Sequence, residues 1–239
     1  MLLFLSLISA SAFALPVYTV GVEDIDYMPI FSSTHNPENF KGYARDVLDR
    51  FAKSEKIEFR YVALPVKRFI YVYQSGKLDF AFPDNPNWNL PKKDNLNIIY
   101  SNPIITFQDA IFVRPEKLGL GIEKMKVLGT LKGFSAWKFQ KYIDSGKMRV
   151  ESTHAPESLI HMALLGRVDG INMAQQVARY HLKKIGNEKG LVPDPQLLPS
   201  QDSYYYFSTL HHPEIIKKLN LFLKKDAANI HELKNKYGL

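Results

Sequence analysis

Two short stretches of this chain carry one pattern. Ser75-Gly76-Lys77-Leu78-Asp79-Phe80 and Leu165-Gly166-Arg167-Val168-Asp169-Gly170 both read as helix end, glycine, base, aliphatic residue, aspartate and strand start, 90 positions apart. Each closes a run in which hydrophobic periodicity switches between two and 3.6 residues. In the first run Val17 to Val22 reads as a strand, and Ala44, Val47, Leu48 and Phe51 fall at i, i+3, i+4, i+7 of a helix that Gly42 introduces. Ile57, Phe59, Tyr61 and Ala63 alternate as a second strand. Pro65 suits the start of a helix faced by Val66, Phe69, Ile70 and Tyr73, Gly76 ends it, and Asp79 to Phe82 is a short strand. The second run repeats this grammar: strand Lys126 to Leu131, helix Ala136 to Ile143, strand Met148 to Glu151, a helix carrying Leu159, Met162 and Ala163, strand Val168 to Asn172, helix Ala174 to Lys184. Two βαβαβ runs predict an α/β fold with a mostly parallel sheet and two similar lobes. Asp79 and Asp169, at strand starts, read as structural.

Ile104 to Val113 looks extended and would cross from one lobe to the other, and Tyr204 to Ser208 would cross back. The tail places Ile215, Ile216, Leu219, Phe222 and Leu223, then Ile230, Leu233 and Tyr237, on two amphipathic helices that pack most simply on the first lobe. The expected division is a discontinuous lobe of residues 15–106 and 207–239, and a second lobe of 107–206 with the hinge strands. Two βαβ-type lobes on a two-strand hinge make a clamp, bending at Ile105 to Ile111 and Ser203 to Phe207, and a cleft between lobes suits a small ligand.

Composition narrows the partners. With 46% apolar and 23% charged residues over 239 positions, wholesale disorder is excluded. The net charge of +7 is scattered, and the basic residues do not alternate with aromatics as a nucleic-acid platform requires, so no nucleic-acid partner is expected. The absence of cysteine rules out disulfides, zinc-thiolate sites, cysteine nucleophiles and a lipid-modified N-terminal cysteine. Leu2 to Ala10 is an apolar run followed by Ala12-Phe13-Ala14, a small-x-small pattern, so residues 1–14 read as a signal peptide with the mature chain starting near Leu15. A buried first strand is the alternative, since no Lys or Arg precedes the run. No second stretch approaches membrane length. The expected location is the periplasm, without lipid anchor or stable membrane insertion.

Tyr18-Thr19-Val20-Gly21-Val22, Phe40-Lys41-Gly42-Tyr43-Ala44-Arg45-Asp46-Val47-Leu48, Pro65 through Arg68 to Gly76-Lys77-Leu78-Asp79, Tyr100-Ser101-Asn102-Pro103, Leu128-Gly129-Thr130-Leu131-Lys132-Gly133, Gly166-Arg167-Val168-Asp169 and Lys236-Tyr237-Gly238-Leu239 resemble, in order and spacing, bacterial extracellular solute-binding proteins of the polar-amino-acid branch. The resemblance covers essentially all of the mature chain and implies the type II periplasmic binding fold. It also implies a small-molecule solute, an inner-membrane permease or sensor as partner, a monomer and no cofactor. Family members that bind α-amino acids carry a Thr-x-x-Arg whose Arg grips the ligand carboxylate; here those positions are Pro91 and Asp94. The Asp that holds the ligand ammonium is replaced by Ala174. A standard α-amino acid bound in the usual mode is therefore not expected. Lys92 or Lys93 can stand in for the Arg, though a flexible lysine replaces a planar fork poorly.

Ligand groups are expected from loops at the carboxyl ends of strands. Tyr27 and Trp88 offer flat amphipathic faces for stacking, the alternative being packing on their own lobe. Asp84 and Asn85 can accept a donor group, or serve as turn residues. Lys132, Phe134 and Ser135 lie between a strand and a helix start, where free N–H groups favour an anion and Ser135 can also cap. Thr153 and His154 follow a strand, with capping the stronger reading for Thr153. Arg68 is either an anion clamp or a surface ion pair. Asn172 and Gln175 are the polar groups nearest the missing ammonium ligand, and Trp137 reads as core. The basic candidates tilt the expected solute toward an anionic or polar organic molecule. Nothing in the chain matches Gly-x-Ser-x-Gly, a Gly-rich phosphate loop or His-Glu-x-x-His, so no enzyme activity is expected. The resemblance does include dehydratases on this fold, for which Asp26, Asp84 or His154 would have to supply an acid or base. A sensor module for a membrane partner is the other alternative.

Overall fold

The structure is a computed structural model describing residues 14–34, 40–88, 93, 95–199 and 201–239. The leader expected at 1–14 lies almost wholly outside the described residues, as do Pro91, Lys92 and Asp94. The first half runs β1 (Val17–Glu23), a hairpin of β2 (Asp26–Tyr27) and β3 (Phe31–Ser32), α1 (Tyr43–Glu55), β4 (Glu58–Leu64), α2 (Val66–Gln74), β5 (Phe80–Asp84) and β6 (Ile99–Tyr100). β7 (Ile105–Val113) leads to β8 (Val127–Leu131), α3 (Gln140–Asp144), β9 (Arg149–Thr153), α4 (Pro156–Leu164), β10 (Gly170–Ala174), α5 (Gln175–Lys184) and β11 (Val192–Pro193). β12 (Asp202–Thr209) returns, and α6 (Pro213–Lys225) and α7 (Ala227–Tyr237) follow.

The strands order β4-β1-β5-β12-β7-β10-β8-β9. β4-β1-β5 and β9-β8-β10 are each parallel, in the same second-first-third order. Between them the sheet is antiparallel rather than mostly parallel, because the two crossing strands run against their neighbours. Residues Ile105 to Gln108 of β7 pair with β12, and Asp109 to Val113 pair with β10. Residues Asp202 to Tyr205 of β12 pair with β7, and Tyr206 to Thr209 with β5. Each crossing strand thus belongs to both halves, which is the two-strand strap of a two-lobed α/β fold.

The twin aspartates explain the repeated sequence pattern. Asp79 Oδ2 accepts hydrogen bonds from the Thr19 backbone N–H at 2.7 Å and from its hydroxyl at 2.7 Å, holding the start of β1. Asp169 Oδ2 accepts from the N–H groups of Lys126 at 2.9 Å and Val127 at 2.8 Å, at the start of β8. α1 buries Tyr43, Ala44, Val47, Leu48, Phe51 and Ala52 against the first half-sheet. The tail closes the same half: the Tyr237 hydroxyl and Lys236 both donate to Asp46 at 2.9 Å, and Phe207 stacks on Phe80 at 4.7 Å. The helix expected at Ala136 to Ile143 is broken into a 3-10 turn, Trp137–Phe139, and α3. That turn buries Phe139 and leaves Trp137 64% exposed, so Trp137 is not core.

Candidate functional site

The carboxyl ends of the parallel strands in both halves converge on one cavity of about 360 Å³, the scale of a small organic molecule. From the first half, Glu23 ends β1 and Tyr27 follows in the hairpin. Asn87 and Trp88 come from the turn after β5, and Val66 and Ile70 from α2. The crossing strands contribute the floor, Phe107, Asp109 and Tyr205. From the second half come Gly133, Phe134 and Ser135 after β8, Trp137 and Lys138 in the turn beyond, and Asn172 and Met173 on β10.

Aromatic rings make up much of the wall. Phe107 and Tyr205 lie 4.1 Å apart, Trp88 meets Tyr205 edge-on at 5.5 Å, and Tyr27 tilts against Phe134 at 5.6 Å. The charges are unevenly met. Glu23 is 5% exposed, and its Oε2 has no hydrogen-bond partner. Burial, and then the negative charge of Asp84, push its carboxyl up to about 8. Burial also raises the Asp109 carboxyl, against the opposing charge of Lys138. Asn172 Oδ1 is a second buried oxygen without a partner.

Of the residues singled out in the sequence, Tyr27, Trp88, Phe134, Ser135 and Asn172 line this cavity, and Arg68, Asp84, Asn85, Lys132 and Thr153 do not. Arg68 is exposed on α2. Asp84 is engaged by Lys93 at 2.6 Å and by the Ser208 hydroxyl at 2.7 Å. Asn85 donates to the Tyr204 carbonyl at 2.9 Å and accepts from the Asn87 N–H at 2.9 Å, a turn role. Lys93 also donates to the Asn85 carbonyl at 2.8 Å and to the Tyr100 hydroxyl at 3.1 Å, so its ammonium is spent inside the first half. The Lys132 N–H donates to the Thr153 carbonyl at 2.8 Å, and α4 begins after Ala155 without a side-chain cap. Glu23, Asp109, Phe107 and Tyr205 were not anticipated. The detectable signal was an aspartate, the one charged residue of the Ile105 to Val113 strand, two residues from Phe107 and so on the same face.

Two contacts tie the halves together beside the cavity. The Ala174 N–H donates to the Tyr27 hydroxyl at 3.2 Å, at the position where an ammonium-binding aspartate was missing. His181 on α5 is fully buried, with Nε2 3.2 Å from the Asp26 carbonyl and Nδ1 3.6 Å from the Glu157 carboxylate. Burial lowers its pKa, against the raising effects of Asp26 and Glu157; Lys184 neutralises Glu157 from 2.5 Å. An unfolded histidine takes up a proton near pH 6.5, before this one does, so native stability falls as pH drops below that value. The melting temperature is expected to fall more between pH 7 and 5 than it does in His181→Gln. Parallel melting curves for the two proteins would refute this assignment.

No protein-family model and no curated protein matches the chain. Solved structures do. An ancestral arginine-binding protein bound to arginine superposes with a TM-score of 0.73 at 18% identity, covering 94% of this chain and 99% of that one. A histidine kinase sensor domain with similarity to periplasmic binding proteins gives 0.74 at 17% identity, covering 94% and 96%. The ancestral amino-acid-binding protein AncCDT-1, a precursor of cyclohexadienyl dehydratase, gives 0.70 at 19% identity, covering 92% and 94%. The chain therefore has the type II periplasmic-binding-protein fold. Among the described residues no helix is long and apolar enough to cross a membrane.

Proposed function

We propose that the chain is a periplasmic solute-binding protein that closes on a small organic solute and delivers it to an inner-membrane permease. The observation that carries this reading is the cavity itself, which neither half could form alone. The moving bodies are residues 15–106 with 207–239, and 107–206, with β7 and β12 as the hinge. An aromatic wall with a few fixed polar groups is what orients a small molecule by shape and hydrogen bonding. A sensor module reporting the solute to a membrane partner is the second reading, favoured by the histidine kinase sensor domain among the similar structures. For a dehydratase-like activity, Asp26, Asp84 and His154 lie outside the cavity lining.

The test is capture. The purified protein is incubated with a metabolite extract, desalted and denatured, and the released small molecules are identified by mass. The expected result is one or a few solutes, released with unchanged mass, that raise the melting temperature and reduce the radius of gyration. No retained molecule and no compaction would overturn the reading; release of a chemically altered solute would replace it with the enzyme.

A further inference from the structure

The cavity's acids outnumber its bases. Glu23 and Asp109 both line it, and among the described lining residues Lys138 is the one base. The positive charge of Lys138 falls on Asp109. Glu23 has no such partner. The charge that acts on it is that of Asp84, a like charge whose own counter-ion is Lys93 at 2.6 Å. The phenols of Tyr27 and Tyr205 feel the Glu23 charge, Asp109 lines the same cavity, and none of these supplies positive charge. The rings of Trp88, Phe107, Phe134 and Tyr205 line the same cavity. No guanidinium lines the cavity among the described residues to take a carboxylate, since Arg68 points to solvent.

We infer that the solute is a compact organic cation, an amine or guanidine on a flat or branched apolar body, whose charged head is drawn to the Glu23 carboxyl and whose body lies between the rings. This rests on the solute-binding reading and departs from the anionic half of the anionic or polar solute that the basic residues suggested in the sequence. A buried acid that gives up its proton becomes a carboxylate with an open lone pair, and an N–H donor carrying positive charge is the group that relieves it. Aromatic faces add attraction for the same charge through their quadrupoles. An α-amino acid would bring a carboxylate for which Lys138, whose charge already acts on Asp109, is the one cationic group among the described lining residues.

Protonation makes the inference testable. With a carboxyl pushed up to about 8, Glu23 holds its proton at neutral pH in the empty cavity. A cation lowers that pKa and expels the proton, so affinity rises with pH below 8, by about tenfold per unit for one proton released. A neutral or anionic solute that uses the protonated acid as a donor gives the opposite slope. Titration calorimetry from pH 6 to 8 would use 3,3-dimethylbutan-1-amine, tyramine and agmatine as cations. Their counterparts are 3,3-dimethylbutan-1-ol and 4-ethylphenol as neutral shapes, and benzoate and 3-phenylpropionate as anions. The ions captured from the extract at pH 8 are sorted by charge alongside. The expected result is a cation bound at least about 100-fold more tightly than its neutral counterpart, with the rising pH slope, and loss of both in Glu23→Gln. An anion or neutral molecule bound best, with compaction, overturns the cation inference and leaves the solute-binding reading standing. Silence from every probe and from the extract removes both.

Discussion

Glu23→Gln is expected to make the empty protein more stable while weakening its hold on a solute. In the unfolded chain the Glu23 carboxyl loses its proton near pH 4.5; in the native cavity it keeps it to about 8. Between those values the native state binds the extra proton, so its stability falls as pH rises, and the whole penalty is in place above 8. Glutamine is close to isosteric with the protonated acid and carries no charge to desolvate. At pH 7 the gain is roughly 3 kcal/mol by linkage, and it should vanish below pH 4.5. Chemical denaturation of both proteins at pH 4.5, 6, 7 and 8 measures this. A difference that does not grow with pH would show that Glu23 is not held protonated in the native state. The trade has a general form: a group poised for a ligand is often a cost to the fold that carries it.

Gly133→Ala should hold the clamp ajar. Gly133, after β8, has φ +96°, and a Cβ there would lie 2.8 Å from Val66 Cβ, at the start of α2 in the other half. The left-handed backbone alone costs an alanine about 1–2 kcal/mol, and the contact falls where the two halves meet. We expect binding of the captured solute to weaken by at least about tenfold, and the solute-induced compaction seen by small-angle scattering to shrink, with the circular dichroism spectrum unchanged. Val66→Gly removes every atom that the new methyl would strike, so the double variant should recover much of the binding. If it does not, backbone strain in the loop, not contact across the cleft, is the cause.

Much of the fold was legible because burial imposes periodicity. The two βαβαβ runs announced themselves through stripes such as Ala44, Val47, Leu48 and Phe51, and through paired Gly-x-x-Asp signals whose aspartates fasten β1 and β8. The two-residue strands β2, β3, β6 and β11 are too short to show a period. The antiparallel centre escaped because strand direction depends on where a crossing segment docks, which no local pattern encodes. At the cavity, loop aromatics such as Tyr27, Trp88 and Phe134 could be named from their place after strands. Glu23 was passed over because β1 extends one residue beyond Val22, and Asp109 and Tyr205 because segments read as connectors also serve as the floor. Arg68 and Lys132 illustrate the converse: a conspicuous charge in a suggestive segment still faces whichever way its helix or loop is rotated.

The crossing and return of the chain carry a consequence for how it matures. Asp46 waits for Lys236, 190 residues later, and Arg50 for Asp226, 176 residues later. β8, β9 and β10, by contrast, follow one another within a single uninterrupted stretch. A polypeptide emerging N-terminus first during synthesis would find the central portion able to assemble promptly. Its opening portion would remain unfinished, with the rings of Phe59 and Phe80 lacking Phe207, until the closing segment emerges. During that interval the exposed apolar edge is where a chaperone would be most needed.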